Sequence, residues 1–282
     1  PLLRMGQLVR PLLPAALRQR IPARHRAVPG STSNTHSRTM LLLDGCVQPA
    51  LAPQINAATR RVLDTLGINT LVARNAGCCG ALSQHLSATE EARTFIRNNI
   101  DAWWPAIENG AEAIIVTASG CAPMVKDYGR LLADTDYADK AARVSALAKD
   151  VSEVIDIEVA GQALGHSESG HRIAFHSPCT LQHGQGINGV VERLLERLGY
   201  VLTPVMNSHL CCGSAGTYSI LQPGMASVLR DNKLEALQGG KPDLIATANI
   251  GCLMHMANHA DVPVKHWMEL LETLIPDTGK KP

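Results

Sequence analysis

Neither sign of charge is in surplus along this chain of 282 residues: 26 Lys and Arg stand against 25 Asp and Glu. Such balance supplies no field that would gather nucleic acid or an anionic membrane surface, so no nucleic-acid partner is expected. Long apolar runs are also missing, and stretches such as Ala113 to Ala118 are far too short to span a bilayer. The expected location is the cytoplasm, either free or peripheral on the inner face of the cytoplasmic membrane through a partner. No secretory signal peptide is recognised, and no Gly-x-Ser-x-Gly setting surrounds Ser177, Ser214 or Ser219. Nor is a dinucleotide fingerprint or nucleotide-phosphate loop recognised, which assigns any FAD or NAD to another polypeptide.

What the chain does have is cysteine used without remainder. All eight fall into one pattern written twice: Cys46, Cys78-Cys79-Gly80 and Gly120-Cys121, then Cys179, Cys211-Cys212-Gly213 and Gly251-Cys252. Lone Cys to doublet spans 32 positions in each copy, and doublet to last Cys spans 42 and 40. Thiols kept in register while the surrounding sequence diverges point to two sets of four used together.

Each copy reads as strands alternating with helices. In the first, Thr39 to Asp44, Thr70 to Ala73 and Ala113 to Ala118 are predicted strands, with helices over Pro53 to Leu66 and Thr89 to Asn109. In the second, strands are predicted over Arg172 to His176, Val201 to Val205 and Leu244 to Ala248, with helices over Gly189 to Leu198 and Met225 to Leu237. Lys140 to Ile155 reads as a connecting helix and Gly161 to Gly170 as a linker. The expected fold is α/β, two pseudo-symmetric βαβ halves with parallel strands, and every cysteine follows a predicted strand. That places the thiols at the carboxyl ends of the strands, where such folds put their sites. Residues 39–160 and 171–282 are the expected domains. Residues 1–38 are basic and interrupted by Pro11, Pro14 and Pro22, and are expected to be a linker from a missing N-terminal region rather than a targeting peptide.

An even cysteine count invites disulfides, but no secretory context or small size calls for them, and adjacent cysteines pair only through a strained ring. Structural zinc suits four thiolates, though its sites favour short Cys-x₂₋₄-Cys knuckles. Four cysteines spread over three strand ends frame a wider cavity, better matched to an iron–sulfur cluster. Both sulfurs of a doublet reach one centre only on a turn, for which Gly80 and Gly213 supply freedom. Pro123, two residues beyond Cys121, fits a first helical turn whose free N–H groups aim at the sulfur.

The motif Cys-x₃₁-Cys-Cys-Gly-x₃₉₋₄₀-Cys-x-x-Met in duplicate resembles the cysteine-rich CCG domain of heterodisulfide reductases, lactate-utilisation proteins and glycolate oxidase iron–sulfur subunits. The stretches His209 to Tyr218 and Val264 to Leu271 are most similar to the last of these. The resemblance implies that Cys46, Cys78, Cys79 and Cys121, and Cys179, Cys211, Cys212 and Cys252, each hold a [4Fe–4S] cluster, one or two on this chain. It implies an electron-transfer subunit of a flavin-dependent 2-hydroxy-acid dehydrogenase, with FAD on a partner flavoprotein subunit and a quinone or other acceptor downstream. Substrate then binds elsewhere and this chain has no catalytic residue. Relatives usually carry ferredoxin-like cysteine runs ahead of this region, and none is present here. Where the fullest form of the motif has a fifth cysteine, this chain has Met124 and Met254, which disfavours a five-thiolate centre. The alternatives are thiol/disulfide chemistry of the heterodisulfide reductase kind, and a structural zinc or interaction module.

Four histidines lie near the cysteines in sequence: His85, His176, His183 and His209. Solvated or backbone-bonded loop histidines are the favoured reading, ahead of a ring N–H directed at sulfur. Trp103 and Trp104 are expected to be packing residues.

Overall fold

A computed structural model of the protein describes residues 36–159 and 164–275, together with Arg10 and Pro14. The expected linker over 1–38 therefore lies almost wholly outside the described residues, as do residue 160, residues 161–163 of the linker between copies, and the last seven positions.

The first half runs β1 (Arg38–Leu43), α1 (Pro53–Thr65), β2 (Ile68–Leu71), α2 (Thr89–Glu108), β3 (Ile114–Val116), α3 (Ala138–Leu147), β4 (Ala148–Asp150) and α4 (Val151–Val159). The second runs β5 (Arg172–His176), α5 (Val190–Arg197), β6 (Val201–Leu202), α6 (Pro223–Gln238), β7 (Leu244–Thr247), α7 (Ile250–Met256), β8 (Val264–His266) and α8 (Trp267–Glu272). Each half forms one four-stranded sheet, in the orders β2-β1-β3-β4 and β6-β5-β7-β8, with every pairing parallel. The expected pair of pseudo-symmetric α/β halves is borne out. Parallel strands covered on both faces carry unbroken apolar runs, and Leu41, Leu42, Ile114 and Ile115 are wholly buried. Helix α1 buries Ile55, Ala58, Val62 and Leu63, the face that a 3.6-residue period brings to one side.

Four elements differ from the sequence reading, among them β6, which covers only Val201–Leu202 of the strand expected over Val201 to Val205. The single helix expected over Lys140 to Ile155 is two helices separated by β4, which pairs with β3 through Ile114↔Ala148 and Val116↔Asp150. The break has a local cause. Asp150 Oδ1 accepts from Ser152 N–H at 2.9 Å and Glu153 Oε2 accepts from Asp150 N–H at 2.8 Å, a reciprocal cap that starts a new helix. The strand β8 was not assigned from sequence, yet it is the counterpart of β4, and the cap recurs at its end. His266 Nδ1 accepts from Met268 N–H at 3.3 Å, and Glu269 Oε2 accepts from His266 N–H at 2.9 Å. In addition, β2 begins two residues earlier than expected, which buries Ile68 and leaves Leu71 half exposed.

The halves interlock. Helix α8, the last of the second half, packs on α1 of the first, while α4, the last of the first half, packs on α5 of the second. One hydrophobic cluster joins Leu42, Val62 and Ile155 to Phe175, Leu194 and Trp267. Each capping residue also reaches across: Asp150 Oδ2 accepts from Gln185 Nε2 at 3.0 Å, and His266 Nε2 donates to the Thr117 carbonyl at 3.1 Å. Among the described residues no helix is long and apolar enough to cross a membrane.

His266 is wholly buried, and burial lowers its pKa to about 4 from an ordinary 6.5. The folded chain thus excludes a proton that the unfolded chain takes up below 6.5. The stabilisation is complete above about pH 6.5 and is lost as pH falls towards 4, at about 1.4 kcal/mol per unit. Urea titrations across this range should give a His266→Gln protein whose stability falls less steeply with acid than the wild type, by about that amount per unit. Parallel pH profiles would contradict a neutral, buried His266.

Candidate metal centre

In both sheets the first strand sends its connection to one side and the third strand sends its connection to the other. Such a reversal opens a crevice at the carboxyl ends of the two strands. Cys46 follows β1 and Cys121 follows β3 on either side of that crevice, and Cys78-Cys79 arrive from the loop after β2. Cys179, Cys252 and Cys211-Cys212 repeat the arrangement around β5, β7 and β6. Gly80 and Gly213, both at φ +86, turn each doublet so that its two sulfurs face one centre.

All eight cysteines come together as two sets of four. Within the first, the thiols meet in the order Cys46–Cys78–Cys79–Cys121; within the second the order is Cys179–Cys211–Cys212–Cys252. Cys46 is exposed, while Cys79, Cys212 and Cys252 are buried. The Cys46 thiol, then the Cys79 thiol, draw Cys78 down to about 3, and Gly80 N–H adds a hydrogen bond to its sulfur at 3.4 Å. Cys179, then Cys212, draw Cys211 down to about 2, with Gly213 N–H at 3.3 Å from the sulfur. Cys46 and Cys179 are pushed above the ordinary thiol range by their thiolate neighbours and by burial. Each set therefore holds anionic sulfur among thiols whose remaining protons a bound metal would displace. Soft sulfur donors from three loops suit iron–sulfur clusters and zinc, and exclude magnesium or calcium, which take oxygen ligands.

The sites touch one another. Asn249 Oδ1 accepts from Gly120 N–H at 3.2 Å, and its Nδ2 donates to Cys252 Sγ at 3.5 Å, joining the residue before Cys121 to a sulfur of the other set. Ser119 N–H donates to the Ala248 carbonyl at 3.1 Å. A cavity of about 100 Å³ lies between Cys46 and Cys121 and is closed by Asn249 and Ile250 of the second half. A larger one, of about 510 Å³, opens beside Cys211 and is lined by Lys233, Asn207, Met206, Leu210 and Leu229.

Residues 40–126 and 173–257 both match the profile of the CCG cysteine-rich domain. The chain belongs to that family. It carries the CCG domain in duplicate and is 51% identical over 272 residues to the glycolate oxidase iron-sulfur subunit of Escherichia coli, covering 96% of this chain and 66% of that protein. The probable glycolate oxidase iron-sulfur subunit of Bacillus subtilis is 28% identical over 224 residues, covering 78% of this chain and 49% of that one. The chain thus spans about two thirds and about half of these two relatives' lengths. A solved structure of a hypothetical protein from Helicobacter pylori superposes with a TM-score of 0.62 at 9% identity, over 99% of this chain and 57% of that one, a likeness of fold alone.

Of the four histidines, His183 and His209 are exposed turn residues, with His183 Nε2 3.3 Å from the His209 carbonyl, and His85 is exposed at the end of a short helix, Ala81–His85, rather than in a loop. His176 differs. It is 2% exposed, its Nδ1 lies 3.3 Å from Thr247 Oγ1, and one of its ring nitrogens lies within 4.8 Å of the Cys212 and Cys252 sulfurs. Met124 is buried in the core of the first CCG domain, its methyl close to Gly80, and Trp103 stacks at 6.4 Å on Tyr128, whose hydroxyl donates to the Cys79 carbonyl at 2.9 Å. Sequence reasoning missed Asn99, Tyr128, Lys233 and Asn249. One pattern is corrected by its setting: Gly184-Gln185-Gly186-Ile187-Asn188-Gly189 spells Gly-x-Gly-x-x-Gly. A dinucleotide fingerprint turns straight from strand into helix, whereas residues 177–183 and a helical turn at Cys179–Gln182 intervene here, so the letters carry no dinucleotide argument.

A Cβ on Gly213 would lie 2.5 Å from the Ala226 carbonyl, and one on Gly80 would lie 3.1 Å from the Ala92 carbonyl, both at a strained φ. Gly213→Ala should cost about 1–3 kcal/mol in a thermal or urea melt and lower metal bound at the second set. Gly80→Ala should cost less. Equal melts and full metal content for Gly213→Ala would contradict the turn geometry.

Proposed function

We propose that this chain is an iron–sulfur electron carrier in which each four-cysteine set holds a [4Fe–4S] cluster, serving a flavin-dependent dehydrogenase of glycolate or a related 2-hydroxy acid. The observation that carries this reading is the recurrence of four sulfurs in contact, in the same chain order, at the carboxyl edges of both sheets. A cluster, when bound, takes up and returns one electron at a time. Oxidising glycolate to glyoxylate removes a hydride and a proton; FAD on a partner subunit would supply the hydride acceptor, and this chain's cysteine sets would hold the one-electron carriers for the two electrons that follow. The names of the two glycolate oxidase relatives support that assignment.

In this reading the chain's residues hold, insulate and connect. Buried Cys79, Cys212 and Cys252 keep water from the inner sulfurs, and the N–H groups of Gly80 and Gly213 stabilise the anionic ones. Asn249 links the two sets by two hydrogen bonds, a short route between them. The cavity beside Cys211 is roomy enough for a small acceptor such as a quinone, which would meet apolar walls and the Lys233 ammonium. No acid or base is required of this chain, because the substrate is handled on the flavin subunit. The work is placed in the cytoplasm, at the inner face of the membrane where a quinone is the acceptor.

One observation favours a second reading. His176 with Cys212 and Cys252 is a donor set of the kind that zinc also uses. Anaerobic reconstitution distinguishes them. A cluster carrier should show about four irons per cysteine set and a broad absorption near ~400 nm that a reductant bleaches. Cys46→Ser and Cys179→Ser should each remove one set's iron. A colourless protein with stoichiometric zinc would overturn the electron-carrier reading.

A further inference from the structure

The two sets have the same cysteines but different surroundings. At the ends of the paired strands beneath the first set stand Leu43 and Val116, opposite each other in register. At the same place beneath the second set stand His176 and Thr247. All four are buried, so an apolar pair has been exchanged for a polar one. The Thr247 hydroxyl occupies His176 Nδ1, and Nε2 is buried with no hydrogen-bond partner. An unpaired buried polar atom is costly, and the groups near this ring are the Cys212 and Cys252 sulfurs. A bare nitrogen lone pair would be repelled by anionic sulfur, so the tautomer that fits carries its proton on Nε2.

The helices add a second difference. Gly80 abuts the Ala92 carbonyl on α2 and Gly213 abuts the Ala226 carbonyl on α6, which sets the two helices in correspondence. Seven residues further along each stand Asn99 and Lys233, 1% and 3% exposed. They do the same structural job. Asn99 accepts from Gly77 N–H and donates to the Cys78 carbonyl, both at 2.8 Å, while Lys233 Nζ donates to the Ser208 and Asn207 carbonyls at 3.1 and 3.3 Å. Only Lys233 brings a positive charge, and it lines the same cavity as Cys211. A donor aimed at sulfur and a nearby cation both favour the more negative, reduced form of a cluster.

We propose that the second set is the high-potential end of this chain: the buried, unpartnered His176 Nε2–H is available to the sulfur of a cluster held there and the Lys233 ammonium stands beside it, while Leu43 and Asn99 give the first set neither. Electrons that enter at the first set then settle at the second, next to the open cavity at Cys211. This rests on the reading that both sets hold clusters.

The test is a redox titration of the anaerobically reconstituted chain followed by electron paramagnetic resonance, with Cys46→Ser and Cys179→Ser assigning the signals. The signal lost in Cys179→Ser should have the higher potential. His176→Leu, which installs the first set's residue, should make that signal about tenfold harder to reduce, ~59 mV for one electron, and leave the other unmoved. His176→Gln, which keeps an N–H donor, should recover most of the shift, and Lys233→Met should lower the same signal. If His176→Leu loses its iron, His176→Gln and Lys233→Met decide between the outcomes. Equal or reversed potentials, or variants that shift neither signal, overturn the inference while leaving the carrier reading intact. Absence of iron and of both signals from the wild type overturns the carrier reading itself.

Discussion

The arrangement of β1 beside β3, and of β5 beside β7, governs everything above it. With all strands parallel and the chain departing to opposite sides, the carboxyl ends of each central pair open into a crevice rather than closing under a turn. Loops leaving those ends are the places from which separated cysteines reach one point. Sulfurs crowded in this way are unfavourable on their own, since each added thiolate repels the last, and Cys46, Cys79, Cys179 and Cys212 accordingly hold their protons tightly. A cationic metal centre reverses the sign of that cost.

The exchange of terminal helices between halves binds the two crevices into one unit. Because α8 covers α1 and α4 covers α5, neither half buries its own first helix without the other. The reciprocal caps at Asp150 and His266 start those exchanged helices, and each capping side chain also bonds across the boundary. Asn249 completes the coupling at the sites themselves. Folding and site assembly are therefore linked, and a change such as Gly213→Ala acts on both.

Much of this was legible in the sequence because the cysteines and their glycines repeat at fixed intervals, and because Ala113 to Ala118 and Arg172 to His176 read plainly as buried strands. Strand β4 was hidden, since Ala148-Lys149-Asp150 continues a helical pattern and only pairing with β3 makes it a strand. The capping signature Asp150-Val151-Ser152-Glu153 could have exposed the break. His176 could not be told from His183 or His209 by sequence position; the register that sets it opposite Thr247 singles it out. Lys233 lies more than twenty residues beyond its doublet, and it becomes visible only when α6 is laid on α2 through Ala226 and Ala92.

In the proposed carrier, one chain holds two separate four-thiolate clusters. Native mass spectrometry of anaerobically prepared protein counts those clusters directly. The expected species carries the mass of two [4Fe–4S] units, reduced to one in Cys46→Ser and to one in Cys179→Ser. A chain that carries single zinc ions, or one cluster that either variant abolishes, would contradict it.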